Sequence, residues 1–359
     1  MTVPDVGPLA ALAVAATLLL AALLLAALLL LNWRHRRTDA RAARLRQSLE
    51  PMLAGWAERA PGPVELDWLA RLSRGDGRIV LVACLEALPG LAPEASERVR
   101  EALRHSGLAG REVALLRHRS AARRVVGCRF AGRLRDTGVV PLLLDRLRDD
   151  DLEVRRESIR ALGDLRAVEA VGDIAEAIEE IGEWSNLLLV MALIRMGSES
   201  ASRIGALLGA SKSPAMTKAL LQVTGRLGVA AHPAMVRALA SHPDPEVRVE
   251  AVRVLGAIIP DAESSAVCLA AMDDPEWPVR ALAAWSLGRV GDERAIARLA
   301  RAMGDPAYWV RYHVAAAMAA LGERGEAALR RGLEDENPFV RDMAAQTLFM
   351  CALVEGEAA

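Results

Sequence analysis

Five side chains able to stack, donate or exchange protons crowd one stretch, DPAYWVRYHVAAAMAALG, from Asp305 to Gly322. They are Tyr308, Trp309, Arg311, Tyr312 and His313, in a chain with only seven Trp, two Tyr and three Phe. A histidine among tyrosines suits proton transfer, whereas Tyr and Trp together suit a docking hot spot. The rest of the chain weighs against catalysis. Its six histidines, at 35, 105, 118, 232, 242 and 313, include no pair at metal-ligand spacing on a helix. The four cysteines, Cys84, Cys128, Cys268 and Cys351, form no C-x-x-C pair and read as small buried hydrophobes. Acid runs such as RDDD (Arg148 to Asp151) and DAE (Asp261 to Glu263) fall at turns, where they cap helices. No phosphate-binding glycine loop and no nucleophile elbow is present. No enzyme activity, metal or cofactor is expected.

The elements that carry these residues are repeats. DDPEWPVRALAAWSLGRVGD, GDPAYWVRYHVAAAMAALGE and HPDPEVRVEAVRVLGAIIPD align, and DDDLEVRRESIRALGDLRAV and EDENPFVRDMAAQTLFM join them. Their shared arginines are Arg155, Arg248, Arg280, Arg311 and Arg341. Between Arg155 and Arg248 two degenerate copies put Asn186 and Lys218 in the arginine slot, and Arg124 lies one period before Arg155. Each copy reads as a polar turn with a capping Asp, then apolar residues at helical spacing, such as Val279, Ala283 and Leu287. A glycine then breaks the helix and a second amphipathic helix follows. One helix pair cannot bury its apolar face, so the copies must stack into a solenoid.

The pattern DPxxxVRxxAAxxLGxxGD resembles the HEAT repeat superfamily, in its short bacterial form first associated with phycobilisome lyases. The resemblance runs from about Ser120 to Cys351 and is fainter over 61–119. It implies an all-α fold, an α-solenoid of stacked helix pairs. It also implies that the five repeat arginines are structural, each bonding the aspartate or carbonyl groups of neighbouring turns. At Asn186 and Lys218 the pattern departs, and looser packing or altered curvature is expected there.

In such arrays the helix after V-R lines the concave face. If Val and the third residue after Arg point inward, the first, second and fifth point outward. That set is Arg156, Glu157 and Arg160; Val249, Glu250 and Arg253; Ala281, Leu282 and Trp285; Tyr312, His313 and Ala316; Asp342, Met343 and Gln346. The face is thus mixed-charge early and aromatic late. The expected partner-binding residues are Trp277, Trp285, Tyr308, Tyr312, His313 and Gln346. The competing reading makes Trp309 and Phe339 a plug for the C-terminal end of the core.

Composition agrees with helices: 53% of residues are hydrophobic, only 3% aromatic, and the formal net charge is -1. A neutral chain is a poor general nucleic-acid binder, and Glu157, Glu250 and Asp342 interrupt any basic stripe. Pro8 to Leu31 is uninterruptedly apolar. Twenty-four helical residues rise about 36 Å, enough to cross a bilayer core. Arg34, Arg36, Arg37, Arg41, Arg44 and Arg46 follow it and are read as a membrane-surface cluster that sets topology or meets an anionic leaflet. The expected organisation is therefore an extracytoplasmic N-terminus over 1–7, a transmembrane helix over 8–33 and a basic juxtamembrane segment over 34–60. Degenerate repeats over 61–119 and the solenoid over 120–359 complete it. This places a single-pass protein in the inner membrane with its solenoid in the cytoplasm. Small residues on the span offer a face for self-association.

The function expected is a membrane-anchored scaffold or adaptor for a protein partner. The alternatives are an accessory subunit of a membrane enzyme, such as an envelope polysaccharide glycosyltransferase, a lyase-like subunit, or a nucleic-acid-binding HEAT protein.

Overall fold

The computed structural model describes residues 7–182, 186–229 and 232–358; the side chains of 7–23, 27, 31, 34–38 and 353–358 lie outside the description. Every regular element among the described residues is helical. The chain divides into two compact units, Met1–Leu115 and Leu116–Ala359.

In the first unit one helix runs unbroken from Gly7 to Glu58. Its C-terminal part packs on the helices Arg74–Ala87 and Pro93–His105, where Leu49 and Trp56 are buried. Arg98 donates to the Trp56 carbonyl at 3.0 Å and also to that of Ala57. The membrane expectation is corrected here. Among the described residues no helix is long and apolar enough to cross a membrane. The apolar run is not a separate element: the same helix continues through the arginines and ends in the unit's own core. The inner-membrane, single-pass placement falls with it. Residues 1–6, and the side chains of Arg34, Arg36 and Arg37, lie outside the described residues. Arg41 pairs with Asp76 at 2.6 Å and Arg46 with Glu86 at 3.6 Å, while Arg44 bonds the Ala40 carbonyl.

The second unit is a solenoid. Eight first helices follow its turns: Ala121–Leu134, Leu152–Asp164, Asn186–Met196, Pro214–Leu227, Pro245–Ile258, Trp277–Val290, Tyr308–Ala320 and Pro338–Ala358. Each packs on the next, and a shorter second helix, such as Ile296–Ala302, follows each of the first seven. The apolar positions foreseen for the core, Val279, Ala283 and Leu287, are buried, as are Val310, Val314 and Met318 at the same positions of the next repeat.

The repeat uses two glycines for two different purposes. Gly288 lies inside its helix, and a Cβ there would stand 2.8 Å from the Cα of Ala317 on the next helix. The absent side chain sets how closely first helices approach. Gly291 is the one that ends the helix, in the left-handed conformation that favours glycine (φ 75°).

Candidate protein-docking surface

The turns are built on caps. Asp151 accepts from the amides of Glu153 and Val154, and Asp244 from those of Glu246 and Val247. His118 and His242 act in the same place: each ring nitrogen accepts an amide N–H two residues on, from Ser120 and Asp244. Two of the six histidines are thereby occupied in turns.

Across the turns runs a series of arginine bonds. Arg248 Nε and Nη2 donate to Asp274 of the next turn at 2.7 and 2.9 Å, while Nη1 donates to the carbonyls of His242 and Pro243. Arg280 repeats this on Asp305, at 2.8 and 3.0 Å, and on the carbonyls of Asp274 and Pro275. Arg124 repeats it on Asp149, at 2.8 and 2.6 Å. Each guanidinium thus ties its own turn to the following one. Burial pushes Asp149, Asp274 and Asp305 up, but the hydrogen bonds and positive charge of these arginines hold all three below the ordinary carboxylate value. Lys218 reaches Glu246 instead. Among the described residues Arg341 bonds the carbonyls of its own turn, Asp335 and Glu336, and no carboxylate. Arg155 has a buried Nε with no partner; the aspartate slot that serves it by repeat register, six residues before Asn186, holds Glu180.

The face of the first helices changes character along the array, with three departures from the expected pattern. Glu157 is buried because Arg129 of the preceding helix and Arg160 both converge on its Oε2, at 3.3 and 3.0 Å. Ala281 and Met343 are buried too. Glu250 accepts from Gln222 and from Arg253, so the early face neutralises itself.

The late face is aromatic. Tyr308 is stacked 6.4 Å from Tyr312, Trp309 lies edge-on to both, and His313 is edge-on to Tyr312 at 5.4 Å. Burial lowers the His313 pKa. Trp309 and Phe339 are 53% and 54% exposed, so neither plugs the core. Trp277 is also exposed, and Trp285 is half-buried under Arg289, whose Cζ is 5.2 Å from the ring. Among the described residues no ring contact joins Trp277 or Trp285 to the tyrosine cluster.

Beside the cluster opens a groove of about 890 Å³, lined by Tyr312, Ala316, Met343, Gln346, Met350 and Cys351 and by the carboxylates Glu323 and Glu326, the latter paired with Arg330. Two of the expected docking residues, Tyr312 and Gln346, share it. Tyr308 and His313 touch Tyr312 from outside, and Trp277 and Trp285 belong to the preceding repeat. Sequence reading missed Met350 and Cys351. Their signal was a stripe at i, i+3, i+4, i+7: Met343, Gln346, Thr347, Met350. Among the described residues no group of three or more His, Cys, Asp or Glu is placed to hold a metal ion.

HEAT repeats match over residues 108–184 and 232–319. No curated protein matches the chain. Among solved structures, an engineered protein is similar at 17% identity and a TM-score of 0.40, covering 87% of this chain and 95% of its own. The complex of CpcE and CpcF of phycocyanin lyase from Nostoc sp. is similar at 17% identity and a TM-score of 0.32, covering 67% and 92%. Kap95p, solved with RanGDP, is similar at 12% identity and a TM-score of 0.49, covering 78% of this chain and 45% of that one. With its repeating turns and paired helices, the second unit is an α-solenoid, most of it within the segments that match HEAT repeats.

Proposed function

We propose that the solenoid is a scaffold that binds a protein partner along its last repeats and performs no chemistry of its own. A HEAT-repeat solenoid is suited to protein–protein interaction, and the observation that carries the specific reading is the groove beside Tyr312. It joins an exposed aromatic cluster to an apolar floor, Ala316, Met343 and Met350, and to two carboxylates, Glu323 and Glu326. An exposed apolar patch with polar residues beside it on an otherwise well-packed solenoid marks an interaction site. The matching occupant is a helical segment of a partner protein, with apolar side chains for the floor and a basic residue for Glu323.

The test is site-specific photo-crosslinking in cells, with the probe at Gln346 or, as a control, at Arg301 of the second helix Ile296–Ala302. The reading expects a discrete protein adduct from Gln346 that disappears in Tyr312→Ala. The same adducts from both positions, or adducts indifferent to Tyr312, would remove it.

A further inference from the structure

We propose that Arg311 is a receptor for a carboxylate of the partner protein, an Asp or Glu side chain seated where Asp149, Asp274 and Asp305 sit on the earlier arginines. The inference rests on the docking reading above and adds the chemistry of one contact.

Arg311 begins like its counterparts. Its Nη1 donates to the carbonyls of Asp305 and Pro306 at 2.7 and 3.0 Å, as Arg280 does to Asp274 and Pro275. The other edge differs. In Arg124, Arg248 and Arg280 the Nε–Nη2 edge grips a carboxylate. In Arg311, only 8% exposed, Nε is buried and has no partner.

The cause lies in the length of the last repeat. The earlier bonded pairs are separated by 25, 26 and 25 residues. Asp335, which occupies the aspartate slot, follows Arg311 one residue sooner than the shortest of these. It caps the Asn337 amide at 2.9 Å, as Asp274 and Asp305 cap theirs, yet makes no bond to Arg311. The Phe339 ring lies 4.5 Å from the Arg311 Cζ instead, with Tyr308 at 5.9 Å. Rings satisfy the faces of a guanidinium but cannot accept the in-plane hydrogen bonds of its edge.

A buried guanidinium with an unpaired Nε is an expensive arrangement for a chain that closes the same edge three times elsewhere, Arg155 being the other repeat arginine whose buried Nε has no partner. A carboxylate is the ligand that matches the two-donor fork. The exposed rings of Tyr308 and Phe339 beside it favour a carboxylate carried on a protein surface, whose apolar flank would cover them.

The test uses the full chain with ¹⁵N-labelled arginine and follows the Nε–H signal of Arg311. Arg311→Lys identifies that signal by its loss. Phe339→Ala identifies it independently through the ring-current change, with the guanidinium retained. The probe is N-acetyl-aspartate amide at constant ionic strength. A saturable shift of this signal is expected, with less than a fifth of that shift from N-acetyl-asparagine amide or inorganic phosphate at the same concentration. An equal response to phosphate means an adventitious ion only and overturns the proposal, as does no response. If Asp335→Asn alone moves the signal as far as the probe does, the chain's own aspartate fills the edge, and the proposal is again overturned. A Gln346 adduct that persists while the probe fails leaves the scaffold reading standing and removes this inference alone.

Discussion

Asp305→Asn isolates the arginine bond from the cap. Asp305 does two jobs: one oxygen accepts the Ala307 amide at 2.8 Å, and both oxygens accept from Arg280 at 2.8 and 3.0 Å. Asparagine is a good N-cap, so the first job survives. The second loses its charge, and one of two N–H donors then faces an amide nitrogen. The side chains of the pair are only 16% and 11% exposed, so the stranded guanidinium is poorly hydrated. Hydrogen bonds to charged groups contribute about 1.5–3 kcal/mol, and breaking a fully buried pair costs about 3–5 kcal/mol; for this partly buried pair about 2 kcal/mol is expected. Asp244→Asn is the control, because Asp244 caps two amides but grips no arginine; there a few tenths of a kcal/mol is expected. Repeat arrays lose stability locally, so hydrogen exchange should show the loss in the helices Trp277–Val290 and Tyr308–Ala320. Urea denaturation should show it as a lower midpoint. Equal effects of the two substitutions would refute the claim that the arginine bonds, rather than the caps, tie the turns together.

Gly288→Ala should destabilise by about 1–3 kcal/mol by forcing two helices apart, since its Cβ would meet backbone. Gly225→Ala should be close to neutral, because there the Cβ would meet only the movable end of Arg253; thermal melts compare them. The carboxylates of Asp149, Asp274 and Asp305 titrate below the ordinary 3.8 in the folded chain. Their contribution is therefore complete above that value and is lost as pH falls through the lower folded values. Melts should fall more steeply below about pH 4 in the parent chain than in Asp305→Asn. Burial pushes the Cys84, Cys128 and Cys268 thiols up to about 12, whereas Cys351 lies partly exposed in the groove. A maleimide should label Cys351 alone in the native protein, which peptide mapping reads directly.

The repeat made most of the solenoid legible. The spacing of Arg248, Arg280 and Arg311, with Asp at each turn, located the helices and the core residues Val279, Ala283 and Leu287. The arginine bonds have a visible sequence cause, an aspartate 25 or 26 residues downstream. Their failure at Arg311 came from a single missing residue, which a period read as about thirty-one absorbs without notice. Glu157 was misplaced because a helical wheel knows nothing of the neighbouring helix, and Arg129 arrives from there. The groove escaped because its floor combines two helices, so Ala316 and Met350 meet only after folding. The N-terminal apolar run looked like an element with its own ends. In the structure it is part of a longer helix whose continuation, at Leu49 and Trp56, belongs to a core.

The most direct measurement is the affinity of the partner captured at Gln346 for the parent protein and for Tyr312→Ala, by titration calorimetry, with circular dichroism to certify the fold. An aromatic hot spot contributes about 2 kcal/mol or more, which corresponds to a weakening of roughly thirtyfold. A weakening of that order, with helicity unchanged, is the result predicted. An affinity within about twofold of the parent would contradict the account, because the groove beside Tyr312 would then not be where the partner binds.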